Sequence, residues 1–149
     1  MRKKYIYGFL AILYAAAIFY LSSTSNPPNP ISSKNLIALY DFLKTHGLEF
    51  LAVPFYFVFR YPDKFAHILL YAGFGFVLNL AVRSAFSRNP YILTLVIGAC
   101  YGIFDEFHQA FVPGRSPSLA DLLADVIGLM LSQIVVIGVS KYKRRALNG

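Results

Sequence analysis

Apolar residues fall into four long runs separated by shorter polar stretches. The run at 5–21 holds 17 uncharged residues, or roughly 26 Å of helix, which is enough to cross the hydrocarbon core of a bilayer. Runs at 65–82 and 119–140 are also long enough. A fourth is uncharged only over 91–104, and it spans if it continues through the polar residues that follow, to about 112. The pattern predicts an all-α integral membrane bundle of four transmembrane helices.

The segment between the first two spans, 22–64, has a different pattern. It opens with the helix-breaking stretch SNPPNP. The next stretch, SSKNLIALYDFLKTHG, predicts a helix that ends near Gly47. FLAVPFYFVF is too short to span and too apolar for open water, which favours an interfacial or re-entrant element over a hydrophobic cap on the bundle. The apolar face of the predicted helix comprises Leu36, Leu39, Tyr40 and Leu43.

Composition supports one membrane domain over residues 1–149. Hydrophobic residues make up 57% of the chain and charged residues 14%, whereas soluble domains are about half apolar and a quarter charged. The net charge of +7 does not indicate a nucleic-acid partner, because the basic residues are dispersed or flank apolar runs. Cys100 is the single cysteine and excludes an internal disulfide.

Charge asymmetry predicts the orientation. With the N-terminus inside, nine of the 14 basic residues lie in cytoplasmic pieces and all seven acids lie outside. Both termini are therefore predicted to be cytoplasmic. The alternative is that MRKK and the first apolar run form a cleaved signal peptide. That run is longer than the apolar region of a usual signal peptide and lacks an A-x-A cleavage site. Cleavage would leave the orientation of the other spans unchanged.

Polar side chains recur at helical spacing near the outer end of three spans. Residues four apart share one face of a helix, so each span presents one polar stripe at a similar membrane depth. Small residues continue the stripe of the fourth span and allow close helix packing. The stripes comprise Asp63, His67 and Tyr71 in the second span, Asp105, Glu106 and Gln109 in the third, and Asp121, Asp125, Gly128 and Ser132 in the fourth.

Ionisable groups at this depth are expected to face the inside of the bundle. An unpaired charge near the bilayer interior costs at least about 2.5–3.5 kcal/mol, so we expect His67, Asp105 and Asp121 to line one cavity. A purely structural interpretation has Arg115, in the VPGRS turn, neutralise Asp105 or Asp121. Two or three charges suffice for that role, so the larger number favours a functional pocket.

Three blocks of sequence carry a family resemblance. DKFAHILLYAGFG, YGIFDEFHQAFVPGR and SLADLLADVIG resemble the signature blocks of VanZ-like membrane proteins, over about residues 62–132. Asp125 stands where the family often has Asn. The resemblance implies a cell-envelope role in the bacterial cytoplasmic membrane, and the family's namesake is associated with low-level teicoplanin resistance.

The first functional hypothesis is binding without catalysis. The ligand would be a lipid headgroup, a lipid-linked cell-wall precursor or a lipoglycopeptide such as the antibiotic. Lys64, His67 and Arg115 would bind its anionic group, since a guanidinium suits phosphate. The carboxylates would hold these cations and bond sugar or amine groups. The predicted ligand-binding set is Asp63, Lys64, His67, Tyr71, Asp105, Glu106, Gln109, Arg115, Asp121 and Asp125.

The second hypothesis is a membrane-embedded enzyme, a hydrolase or transferase acting on a lipid-linked envelope substrate. Its candidate catalytic residues are His67, Asp105, Glu106 and Asp121. No organic cofactor is predicted, but Asp63 with His67, and Asp105 with Glu106, suit Mg²⁺ or, through His67, Zn²⁺. The chain lacks H-E-x-x-H, a P-loop and G-x-S-x-G. A third interpretation assigns the polar residues to assembly alone.

The orientation is tested with two single cysteines. Ser116→Cys should react with an impermeant thiol reagent in intact cells, and Ala146→Cys should not, because the third and fourth spans meet outside. The wild-type chain, whose one cysteine lies in an apolar run, serves as the background. Labelling at 146 without labelling at 116 would overturn the topology.

Overall fold

The computed structural model describes residues 2–25, 33–52, 56, 58, 60–86 and 89–148. Its elements are helical, with no strand among the described residues. Four helices are long and apolar enough to cross a membrane, which confirms the predicted all-α class. The elements are α1 (Arg2–Ser22), α2 (Ser33–Thr45), a 3₁₀ helix (Glu49–Ala52), α3 (Pro62–Ala85), α4 (Pro90–Gln109) and α5 (Leu119–Asn148).

Helix α3 is the centre of the bundle and packs against α1, α4 and α5. Tyr71 and Phe74 of α3 join Leu129 of α5 and Ile18 of α1 in a continuous apolar core. The opposite faces of the helices leave many large apolar side chains exposed. Such a surface is unstable in water and suits lipid, so the bundle is built to be solvated by acyl chains.

The α3–α5 crossing is close because α5 lacks a side chain at Gly128. A Cβ added there would collide with the carbonyl oxygen of Ile68 and come within 2.9 Å of the Ala72 nitrogen. Both contacts are backbone atoms, which cannot move aside. Close backbone approach through small residues is the usual way helices associate in lipid. It brings the polar stripes of α3 and α5 within hydrogen-bonding distance.

Helix boundaries differ from the predicted ones where prolines intervene. Helix α4 ends at Gln109, three residues before the predicted 112, because Pro113 disfavours helical backbone in the residue before it. Helix α3 begins at Pro62, since a proline fits the first helical turn. Helix α5 continues to Asn148, past the predicted 140.

Only part of the 22–64 segment is described. Helix α2 contacts the 3₁₀ helix, and Leu43 on its predicted apolar face is buried. The helix ends at Thr45, two residues before the predicted stop at Gly47, whose φ of +68° is the left-handed conformation typical of a glycine after a helix. The Leu36 side chain, most of SNPPNP and half of FLAVPFYFVF lie outside the described residues, so the interfacial or re-entrant element stays a prediction.

Two alanine substitutions in α5 test the close crossing. Gly128→Ala should lower the free energy of unfolding by about 1–3 kcal/mol, because the new methyl group meets backbone of α3. Gly138→Ala is the matched control, since a Cβ there meets nothing within 4 Å. Thermal unfolding in detergent measures both, and equal melting temperatures would contradict the packing described.

Candidate functional site

The N-terminal turns of α3 and α5 are joined by Lys64. Its Nζ lies 2.8 Å from Asp63 Oδ2 and 2.5 Å from Asp121 Oδ1. Asp63 is at the rim, with its side chain 61% exposed, whereas the side chain of Asp121 is 12% exposed. The lysine therefore neutralises a buried carboxylate of another helix and links the two elements.

One turn further into the bundle, His67 meets Asp125. His67 Nδ1 lies 2.8 Å from Asp125 Oδ1, and the Asp125 side chain is fully buried. This contact spans α3 and α5 directly above the close approach at Gly128. A buried carboxylate in contact with an imidazole nitrogen fixes the ring's orientation and leaves its other nitrogen available.

Helix α4 contributes two buried carboxylates with different partners. Gln109 Nε2 donates to Asp105 Oδ2 at 3.2 Å, and the Ser22 hydroxyl at the end of α1 lies beside the same carboxylate. Glu106 Oε2 accepts a hydrogen bond of 2.6 Å from the backbone N–H of Ser118. Ser118 also caps α5, as its Oγ accepts from the Asp121 N–H at 3.4 Å.

A tight turn places Arg115 beside these carboxylates. Pro113 and Gly114 occupy its central positions, with φ of +78° at Gly114, and the Arg115 N–H donates to the Val112 carbonyl at 3.1 Å, as in a type II turn. The Arg115 side chain is half-buried, and its Nε has no hydrogen-bond partner in the part of the chain that the structure describes. Within the described residues it makes no ion pair closer than 4 Å. Lys64 therefore neutralises Asp121, one of the two carboxylates that the structural interpretation assigned to Arg115, whereas Arg115 lies in the field of the other, Asp105.

The structure brings together the residues of the three predicted stripes. Asp63 is the exception, exposed at the rim. The Tyr71 hydroxyl is buried with no hydrogen-bond partner among the described residues and lies in the field of Asp105 and Asp125. His67, Asp105 and Asp121 share one cluster, although the cavity predicted for them stays a prediction. We call this group the polar cluster, namely Lys64, His67, Tyr71, Asp105, Glu106, Gln109, Arg115, Asp121 and Asp125.

A second polar layer lies deeper in the bundle and was not predicted. Asn79 Nδ2 donates to Gln133 Oε1 at 2.8 Å, and Gln133 Nε2 donates to the Gly75 carbonyl at 3.3 Å. Thr94 Oγ1 lies 3.4 Å from the same Asn79 amide. The spacing of four that runs through Tyr71 continues to Gly75 and Asn79. The same helical spacing could therefore have predicted that Asn79 faces the inside of the bundle.

These features define a multi-pass helical membrane protein with a buried acidic site at one end of its bundle. The VanZ/LLP1 family model matches residues 7–140, so the chain belongs to the VanZ-like family. The match covers nearly the whole chain, including the first span, which the three sequence blocks did not reach. No curated protein and no solved structure matches the chain.

The role of Lys64 is tested against its exposed neighbour. Lys64→Gln should lower the free energy of unfolding by about 1–3 kcal/mol, because Asp121 keeps its buried charge and loses its cation. Asp63→Asn should change it by less than about 0.5 kcal/mol, since that carboxylate is solvated.

Both variants are compared by thermal unfolding in detergent. Lys64→Gln combined with Asp121→Asn should recover part of the loss, because the unpaired charge is then gone. Equal destabilisation by Lys64→Gln and Asp63→Asn would contradict the assignment.

Proposed function

We propose that the polar cluster is an outward-facing site for a phosphate-bearing headgroup, carried by a membrane lipid or a lipid-linked cell-envelope precursor. The protein would act in the bacterial cytoplasmic membrane, with both termini cytoplasmic. Occupancy of this site would underlie an effect on teicoplanin susceptibility, the activity associated with the family's namesake. The observation that carries the proposal is the state of Arg115.

Arg115 has fewer direct contacts with carboxylates than the other cations of the cluster, among the described residues. Lys64 is held between two carboxylates, and His67 is engaged by Asp125. The Arg115 guanidinium has no ion pair within 4 Å among the described residues, and its Nε is unsatisfied. A guanidinium presents a planar fork that matches two phosphate oxygens. The anion-binding role that we predicted for three residues therefore falls mainly to Arg115.

The rest of the cluster supplies groups for the remainder of a headgroup. The Tyr71 hydroxyl can donate a hydrogen bond, and Asp105 Oδ1 can accept one, because both are buried without partners among the described residues. Carboxylate acceptors beside a guanidinium suit a ligand that carries hydroxyl or ammonium groups next to its phosphate. Sugar phosphates and phosphoethanolamine have this composition.

The second candidate function is catalysis on such a ligand. The observation that favours it is the contact of 2.8 Å between His67 Nδ1 and Asp125 Oδ1, because a carboxylate that orients a histidine is a recurring arrangement for general-base chemistry. Catalysis would differ from binding alone because the bound lipid would be recovered in a chemically altered form.

The proposal is tested with Arg115→Lys. An ammonium keeps the charge and loses the bidentate fork, so the amount of phospholipid that copurifies, read by native mass spectrometry, should fall by about tenfold or more. Arg83→Lys is the matched control, because Arg83 is an exposed arginine that bonds Ser140 at the other end of the bundle.

The same variants are compared for teicoplanin susceptibility at equal membrane levels. Arg115→Lys should raise susceptibility and Arg83→Lys should not. Unchanged lipid occupancy in Arg115→Lys would refute the recognition role. Conversion of added lipid by the wild type, lost in His67→Gln, would favour the enzyme.

A further inference from the structure

Three helices present metal-ligating atoms to one point inside the polar cluster. His67 of α3, Glu106 of α4 and Asp125 of α5 each offer one donor atom, and these atoms all lie within 4.8 Å of one another. Glu106 and Asp125 are buried, and His67 is half-buried. An imidazole nitrogen with two carboxylates is a common donor set for Zn²⁺ and Mn²⁺. It differs from the pairs that the sequence suggested, because Asp63 is not part of it and Asp125 is.

Of the four oxygens of Glu106 and Asp125, two are buried without a hydrogen-bond donor among the described residues. They are Glu106 Oε1 and Asp125 Oδ2. The other oxygens of these carboxylates contact Ser118 N–H and His67 Nδ1 respectively. A buried carboxylate oxygen normally has a partner, so these two atoms independently point to a cation between them.

The charge of the cluster also points to a divalent ion. Four buried carboxylates, Asp105, Glu106, Asp121 and Asp125, are faced by two permanent cations, Lys64 and Arg115. With His67 neutral, the ionised cluster carries an excess of two negative charges. Buried charge that is not compensated is strongly unfavourable. A divalent cation balances this excess.

A glycine of α4 lies beside Asp125. A Cβ added to Gly102 would lie 3.2 Å from Asp125 Oδ2 and 3.5 Å from a ring carbon of Tyr71. The 3.2 Å contact is tighter than most real Cβ contacts, so a side chain at this position would crowd the unpartnered oxygen. Gly102 is therefore a position where small size matters to the site without contributing a ligand.

We infer that His67, Glu106 and Asp125 form a binding site for a first-row divalent metal ion, of the Zn²⁺ or Mn²⁺ class. His67 Nδ1 contacts Asp125 Oδ1 at 2.8 Å, and Glu106 Oε1 and Asp125 Oδ2 are the oxygens of the two carboxylates that have no hydrogen-bond partner among the described residues and are left to bind a cation. Three protein ligands leave at least one coordination position open. The inference goes beyond headgroup binding and does not depend on it.

The test uses the full chain, purified in detergent and treated with a chelator. Equilibrium dialysis against ZnCl₂ or MnCl₂, followed by elemental analysis, should give about one tightly bound equivalent per chain of at least one of the two metals. Glu106→Gln and His67→Gln should each weaken binding by more than about tenfold, because losing a ligand matters more than losing an outer-shell partner.

Asp63→Asn and His46→Gln are the matched controls. Each removes a donor group of the same type at an exposed position, and both variants should bind as the wild type does. Gly102→Ala keeps all three ligands and narrows the space, so it should weaken binding while the chain stays folded. The metal should raise the melting temperature of the wild type and not that of Glu106→Gln.

Two results would overturn the inference. One is a folded wild type that binds neither metal at micromolar concentrations. The other is binding that Glu106→Gln and His67→Gln both leave unchanged, which would place the ion elsewhere.

Discussion

Four carboxylates are buried inside the helical bundle, where lipid offers neither cations nor hydrogen-bond donors, so they depend on partners held within the bundle. Lys64 and His67 of α3 supply them to Asp121 and Asp125 of α5. These contacts require α3 and α5 to lie very close, which the missing side chain at Gly128 permits. The tight crossing and the polar cluster are therefore two aspects of one constraint.

Some groups of the polar cluster form hydrogen bonds or ion pairs within the bundle, and others have unused hydrogen-bonding atoms. Lys64 links two helices, and Ser118 joins Glu106 to the start of α5. Among the described residues, Arg115 Nε, the Tyr71 hydroxyl and one oxygen each of Asp105 and Glu106 have no hydrogen-bond partner. A cluster that served only assembly is not expected to contain both hydrogen-bond donors and hydrogen-bond acceptors without partners. Its free donors and acceptors are what the proposed headgroup and metal would use.

Helical spacing was enough to predict which side chains converge, because lipid forces ionisable residues to one face of each span. It could not predict contacts made by backbone, such as the Ser118 N–H on Glu106, or the partner of each charge. Lys64, not Arg115, pairs with Asp121, since its position in the first turn of α3 faces α5. The deeper layer at Asn79 was missed although its spacing fits, because uncharged polar residues stand out less within an apolar run.

Charged groups on separate helices are expected to act as one energetically coupled unit. A double-mutant cycle between His67→Gln and Asp125→Asn, measured as unfolding free energies of chelator-treated protein in detergent, tests it most directly. The account predicts that the two changes are non-additive, with a coupling energy of about 0.5–3 kcal/mol. Additivity within about 0.3 kcal/mol would mean that the two groups are independent, and would contradict it.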